Sequence, residues 1–311
     1  MVRPSTNIGR LGWSGDVEVF RADLRTSKEL DQAFNGVDVL IHLAATVVGD
    51  EDGQLSETVI GTTRLLQAMA TSQTQRIVLA SSFSVYDWEA ARGTLSENTQ
   101  IAANLYQRDG YAIAKVWQER VTRLATGENG WQLTVLRPGF IWGKGNDYLF
   151  CLGQSVGPVH LVIGPTTRLP LTHVENCADA FVVAAEKTET SGQTFNVVDN
   201  DSVRAWQYMG AYLQGAGVSG VRVPVPYRAF LMLTHLAQFT SKLIFHGKGK
   251  LPSLFVPCRF KARFKPLRYS NDQIRSVLGW QPAKDFSAAV AVTWTSSQND
   301  ESPAVETAAA V

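Results

Sequence analysis

The chain has 311 residues, 29 Lys or Arg against 28 Asp or Glu, and a formal net charge of +1. That length fits one large α/β domain, or a domain with a smaller lobe, and the near-neutral balance excludes a whole-chain footprint for nucleic acid. Its three cysteines, Cys151, Cys177 and Cys258, show no CxxC spacing, which argues against a disulfide framework or zinc cluster and for a reducing, cytoplasmic setting with no metal.

Met1 to Asn7 has no apolar core and does not read as a signal peptide. No run of about 18 apolar residues offers a spanning helix. Val17-Glu18-Val19-Phe20 alternates and predicts a strand. Thr26 to Phe34 predicts a short helix, with Thr26 and Glu29 spaced as a capping box. The apolar run Val37 to Ala45 reads as a strand buried on both faces of a parallel sheet. A helix over Glu57 to Met69 follows, then a strand over Arg76 to Ala80 that ends at Ser81-Ser82. Tyr111 to Leu124 predicts a helix and Gln132 to Arg137 a strand. This alternation argues for a doubly wound parallel sheet. Beyond Pro138 the pattern loosens. Helices are expected over Glu175 to Lys187, Tyr227 to Phe245 and Asn271 to Leu278, and a strand over Thr194 to Val198. From Ser296 the chain is Ser-, Glu- and Ala-rich and reads as a disordered tail, 296–311.

Tyr111 and Lys115 stand four apart, on one face of their helix. A lysine so placed can pull a tyrosine's pKa from about 10 toward neutrality. The phenol then exchanges a proton with a substrate hydroxyl or carbonyl, while a serine at a strand end holds the same oxygen. Those are the parts needed for hydride transfer to or from a nicotinamide.

Charge is segregated. Ser202 to Asn271 contains eleven Lys or Arg and no Asp or Glu. Three readings fit the basic stretch 242–268: a solvated face, an anionic ligand such as a nucleotide diphosphate, or peripheral contact with an anionic membrane.

Several ordered motifs resemble the extended short-chain dehydrogenase/reductase superfamily, the NAD-dependent epimerase/dehydratase family. They are His42-Leu43-Ala44-Ala45, Gly61-Thr62-Thr63-Arg64-Leu65-Leu66, Ser81-Ser82 with Val85-Tyr86, Tyr111 with Lys115, and Leu136-Arg137-Pro138-Gly139. His173-Val174-Glu175-Asn176 with Ala178-Asp179-Ala180, and Leu278-Gly279-Trp280-Gln281-Pro282, complete the set. The resemblance implies a Rossmann-like doubly wound α/β fold over residues 1–165, with 170–200 partly returning to it, and a smaller substrate-binding lobe over 200–285. It implies Tyr111 as acid/base, Lys115 on the nicotinamide ribose, and Ser82 on the substrate oxygen, with Ser84 the second candidate. Asp23 and Leu24 would touch adenine. Leu43, Ala44, Ala45 and Ser81 would line the cofactor, Pro138 and Gly139 would flank the nicotinamide, and Thr58 stands where the family often has Asn. It also implies a homodimer through paired helices that include the Tyr111 helix.

The family opens with a strand, a Gly-rich turn and a helix. Gly9, Gly12 and Gly15 have GxxGxxG spacing, but no buried strand precedes them and a strand, not a helix, is predicted after them. Val2-Arg3-Pro4 instead matches the end of the family's second strand, so that roughly 35 residues of a typical dinucleotide fold are not represented. An acidic residue at that strand end suits NAD, and Arg suits the 2′-phosphate of NADP. Arg3 therefore favours NADP, a plain surface charge being the other reading.

The expected chemistry interconverts a secondary alcohol and a ketone. The runner-up is a nucleotide-sugar epimerase or dehydratase, supported by the basic stretch. Against it, Phe140 lies near where many sugar-nucleotide members place a substrate-contacting Asn. The apolar segment Tyr227 to Phe245 equally suits a sterol- or flavonoid-like molecule. A third reading is a binding protein that has lost its cofactor.

Overall fold

The structure is a computed structural model that describes residues 1–13, 15–105, 107–188, 190–245 and 251–295. The expected tail, 296–311, and Lys248 and Lys250 of the basic stretch lie outside these residues.

Four parallel strands form the central sheet, in the order Val39–His42, Arg76–Ala80, Gln132–Pro138, Thr194–Val197. Side chains alternate across it, as strand geometry requires. Ile77, Leu79, Leu133 and Val135 meet Leu65, Leu66 and Met69 of helix α1 (Glu51–Met69), beside which α2 (Gly110–Asn129) packs. Val78 and Leu136 face the other way, toward Ala180, Phe181 and Ala184 of α3 (Val174–Glu186). Each large aliphatic side chain buried in these layers contributes about 1.5–3 kcal/mol. In register, His42 lies opposite Leu79, Ala80 opposite Leu136, and Pro138 opposite Val197. Leu43-Ala44, Ser81-Ser82 and Gly139 therefore leave the sheet at one edge, where parallel α/β sheets place their ligands.

The second layer of the molecule joins α4 (Ala205–Gly215) to a hairpin, Gly153–Val156 with Val159–Ile163, which pairs in parallel with Val221–Val225. Its core holds Trp142, Leu152, Val162, Tyr208 and Met209. Helix α5 (Tyr227–Phe245) follows, then α6 (Pro257–Phe264), α7 (Asp272–Leu278) and α8 (Phe286–Thr295). Tyr227 and Phe230 of α5 stack on Phe260 of α6 with ring centroids 5.5 and 5.2 Å apart. Gly279 ends α7 in the left-handed conformation at φ 65°, as its position before Trp280 and Pro282 suggested.

Three expectations are corrected. Val17–Phe20 is not a strand; among the described residues the ladder contact next to it is a parallel bridge between Val2 and Arg21. Helix over 26–34 is reduced to a 3₁₀ turn, Leu30–Phe34, preceded by Glu29 without a side-chain cap. The run Val37 to Ala45 supplies an edge strand, not one buried on both faces: Ile41 is exposed, and Leu43 just beyond the strand is 59% exposed. Its composition is that of an interior strand, but among the described residues it pairs on one side only, with Arg76–Ala80. Around Gly9 the chain makes a 3₁₀ turn (Ile8–Arg10), and neither a strand before it nor a helix after Gly15 is present among the described residues.

Candidate active site

Helix α2 organises the site. Asp109 caps it, its carboxylate accepting from the Ala112 N–H at 2.9 Å. The next residue, Gly110, lies so close to α1 that a Cβ would stand 2.6 Å from the Glu51 Cα. Tyr111 follows on the first turn, half-buried, and Lys115 lies one turn deeper and buried. The Lys115 ammonium sits 5.9 Å from the Tyr111 ring centroid. It donates to the Ala80 carbonyl at 2.8 Å and to Gln118 Oε1 at 2.9 Å.

Tyr111 does not titrate as its spacing from Lys115 suggested. Burial raises the phenol above its ordinary value, a hydrogen bond with the Ser82 hydroxyl pulls it back in part, and Asp109 adds to the rise. Lys115 shifts as well, since burial lowers its ammonium to about 8. The pair shares a helix face, but the ammonium is drawn toward the Arg76–Ala80 strand end and Gln118. Between pH 8 and the ordinary lysine value of 10.5 the unfolded chain holds a proton that the folded chain has released. Stability attributable to Lys115 therefore rises with pH across that window. Urea midpoints of wild type and Lys115→Met, compared from pH 7 to 10.5, should diverge in favour of wild type as pH increases.

Ser81 and Ser82 are adjacent but differently engaged. The Ser81 hydroxyl donates to Glu119 within the layer between sheet and α2. Ser82 faces Tyr111, and its hydroxyl accepts from the Ser84 N–H at 3.1 Å. The Ser84 hydroxyl is buried and has no hydrogen-bond partner. Glu119 also accepts two bonds from Arg137, at 2.9 and 2.8 Å, in a pair whose side chains are 3% and 4% exposed. The Arg137 guanidinium lies over the Tyr86 ring at 4.8 Å, and Tyr86 donates to Asn196 at 2.6 Å. Phe83 and Tyr86 thus pack, as their type suggests.

A second polar cluster backs Lys115. Gln118 Nε2 lies 2.9 Å from the Ala44 carbonyl, 3.0 Å from Thr62 Oγ1 and 3.1 Å from His42 Nε2. His42 is neutral, lowered to about 3 by burial and then by the Lys115 charge. His173 is a core residue too, edge-on to Trp142 with centroids 5.2 Å apart. Gln118, Glu119 and Asp109 were not singled out from the sequence. The available signal was the α2 face itself, where 115, 118, 119 and 122 continue from Tyr111 as one stripe that is polar yet buried.

At the far end of the sheet edge, Arg3, Asp23, Leu24 and Thr58 come together. Glu57 binds Arg25 at 2.9 Å and lies 4.0 Å from Arg3, Arg25 reaches Asp23 at 3.2 Å, and Thr58 Oγ1 accepts from the Thr46 N–H at 3.0 Å. Leu24 packs against Gly61. Leu43 and Ala44 are exposed along the edge, with Ala45 half-buried. Pro138 and Gly139 lie beside Pro170; a Cβ on Gly139 would stand 2.2 Å from the Pro170 carbonyl oxygen, so only glycine allows that approach.

These residues fit a nicotinamide dinucleotide at its two ends. Lys115, Tyr111, Pro138 and Gly139 suit the nicotinamide riboside, and Arg3, Asp23, Leu24 and Thr58 the adenosine. Among the described residues no glycine-rich turn opens a helix to receive the pyrophosphate between them. No group of three or more His, Cys, Asp or Glu among them could hold a metal ion.

Next to Gly139, Phe140 meets Phe150 edge-on at 5.7 Å, and the Arg263 guanidinium from α6 lies 5.3 Å from the Phe150 ring. Burial lowers the Arg263 pKa, and the largest opposing influence is the charge of Asp109, already committed to the α2 cap. The basic residues of α6 are not all solvated: Arg259 pairs with Glu51 at 2.7 Å and Lys261 with Glu89 at 2.6 Å.

Sequence and structure comparisons bear on the family and the fold. A 3beta-hydroxysteroid-dehydrogenase/decarboxylase isoform 2 of Arabidopsis thaliana is 26% identical over 283 residues, 86% of this chain and 50% of that protein. The human sterol-4-alpha-carboxylate 3-dehydrogenase, decarboxylating, is 25% identical over 277 residues, covering 86% of this chain and 74% of that one. The chain thus spans between half and about three quarters of the length of these relatives. The solved structure of a UDP-glucuronic acid 4-epimerase from Bacillus cereus, in complex with NAD, superposes with a TM-score of 0.67 at 15% identity, over 93% of this chain and 83% of that one, and shares the fold. Residues 2–197 match the NAD dependent epimerase/dehydratase family. On that match, and on the Rossmann-like sheet, the chain belongs to the NAD-dependent epimerase/dehydratase family.

Proposed function

We propose that the protein interconverts a secondary alcohol and a ketone on an apolar, sterol-like ring system, with NADP as the preferred nicotinamide. The observation that carries this reading is Tyr111 set against Ser82 and Lys115 at the carboxyl ends of the strands, with Phe140 following directly after Gly139 and meeting its ring partner Phe150. The nicotinamide, when bound, supplies or takes up the hydride. Ser82 orients the substrate oxygen, and the Tyr111 phenol exchanges the proton with it. The phenol is held in its protonated form at neutral pH, which suits donation to a ketone. Lys115 holds its position through Ala80 and Gln118, offering positive charge below about pH 8. Arg3 and Arg25 at the adenosine end support a 2′-phosphate.

The names of the curated relatives include a sterol carboxylate, and Arg263 is a cation of the right kind for one. A carboxylate beside the reacting carbon would meet the guanidinium next to Phe150. Purified protein should turn over 3-hydroxysteroids with NADP or NAD and leave UDP-sugars unchanged. Arg263→Leu should raise KM for a 4-carboxysterol by roughly 10–100-fold, as loss of a charged hydrogen bond predicts, and leave KM for an uncharged hydroxysteroid within about twofold. Turnover of UDP-sugars alone would reverse the assignment.

A further inference from the structure

We propose that the outward face of α5 docks on an anionic lipid bilayer. The inner face of this helix is occupied: Tyr227, Phe230 and Leu231 pack with Ile163, Phe260 and Phe264, and Thr234 and Ser241 are buried. The opposite face is apolar and open. Met232, Leu236, Phe239 and Leu243 are between 58% and 73% exposed, and Leu233 and Ile244 widen the patch. At ~100° per residue the first four fall within about 60° of one another, one continuous stripe along three turns. Arg228, His235 and Lys242, all exposed, recur every seven residues and line one flank of that stripe.

Such a face, apolar along its crest and basic along its flank, is that of a helix lying in the plane of a membrane interface. Apolar side chains enter the acyl boundary, and Arg and Lys reach the phosphates with their stems along the apolar surface. Charge decides among occupants. No Asp or Glu occurs from Ser202 to Asn271, so a second copy would set basic flank against basic flank, whereas an anionic headgroup layer complements it. The helix is not a spanning one: no helix among the described residues is long and apolar enough to cross a membrane. The proposal does not depend on the reaction assigned above.

The test is co-sedimentation of the whole chain with vesicles of phosphatidylcholine alone and of phosphatidylcholine with one fifth phosphatidylserine. Wild type should sediment with the anionic vesicles and be released as salt is raised. Leu236→Glu/Phe239→Glu should lower the bound fraction by about tenfold or more, and Arg228→Glu/Lys242→Glu should abolish the preference for phosphatidylserine. All four positions are exposed, so melting midpoints should stay near wild type and certify the fold. Absence of wild-type sedimentation, or equal sedimentation of both double variants, would overturn the proposal. So would a wild-type dimer in solution that Leu236→Glu/Phe239→Glu dissociates while vesicles bind neither form.

Discussion

Glu119→Ala is expected to lower the unfolding free energy by about 3–5 kcal/mol, the usual result of removing one partner from a buried ion pair. Three groups lose their acceptor at once: the Ser81 hydroxyl and both nitrogens of the Arg137 fork. Arg137 is left charged, since no change of pH within the working range deprotonates a guanidinium, and it is sealed against the Tyr86 ring. Glu119→Gln keeps the shape and part of the hydrogen bonding, so its loss should be smaller. Burial raises the Glu119 pKa, but the Arg137 bonds and charge, with Ser81 and Arg123, outweigh it and the carboxyl ends below 4.5. Its stabilisation is therefore complete above that ordinary value and disappears as pH falls through the lowered one. Chemical denaturation of the three proteins at pH 7 and at a series of pH values below 4.5 measures both effects; the gap between wild type and Glu119→Ala should narrow only as pH falls through the lowered value. Equal stability at pH 7 would show that the pair contributes nothing net.

Tyr111→Phe is expected to reduce turnover by about 10²–10⁴-fold, the range for loss of a positioned acid/base, with the fold intact. Removing one oxygen leaves the ring beside Lys115 and frees the Ser82 hydroxyl, so a melting curve should barely change. The loss should appear in kcat, because the proton moves only as the alcohol or ketone reacts. Ser82→Ala should follow in the same direction with a smaller effect. A Tyr111→Phe protein with wild-type kcat would remove Tyr111 from the chemistry.

Much of the candidate site around Tyr111 was legible in the sequence because its signals are local. Tyr111 and Lys115 share a helix face by spacing alone, and the strand Arg76–Ala80 ends at its serines as the apolar run predicts. The Gly9, Gly12 and Gly15 spacing could be set aside from its neighbours, since the motif has meaning only between a strand and a helix. What escaped depends on contacts distant in sequence. Val17 to Phe20 alternates like a strand but finds only the bridge at Arg21, and Val39–His42 has interior composition at an edge. Nothing local tells that Glu119 meets Arg137, that Gln118 reaches Ala44, or that Arg263 arrives beside Phe150. The rise in the Tyr111 pKa is likewise a matter of burial, which residue spacing does not encode.

Counting hydrogens on Lys115 gives the site a sharper rule than charge alone. A lysine ammonium carries three. One is fixed on the Ala80 carbonyl and one on Gln118 Oε1, so these bonds leave a single hydrogen uncommitted. When the group gives up its proton near pH 8, the remaining two hydrogens match the two internal acceptors and none is left over. Above that pH Lys115 has no donor to spare while both of its internal bonds remain.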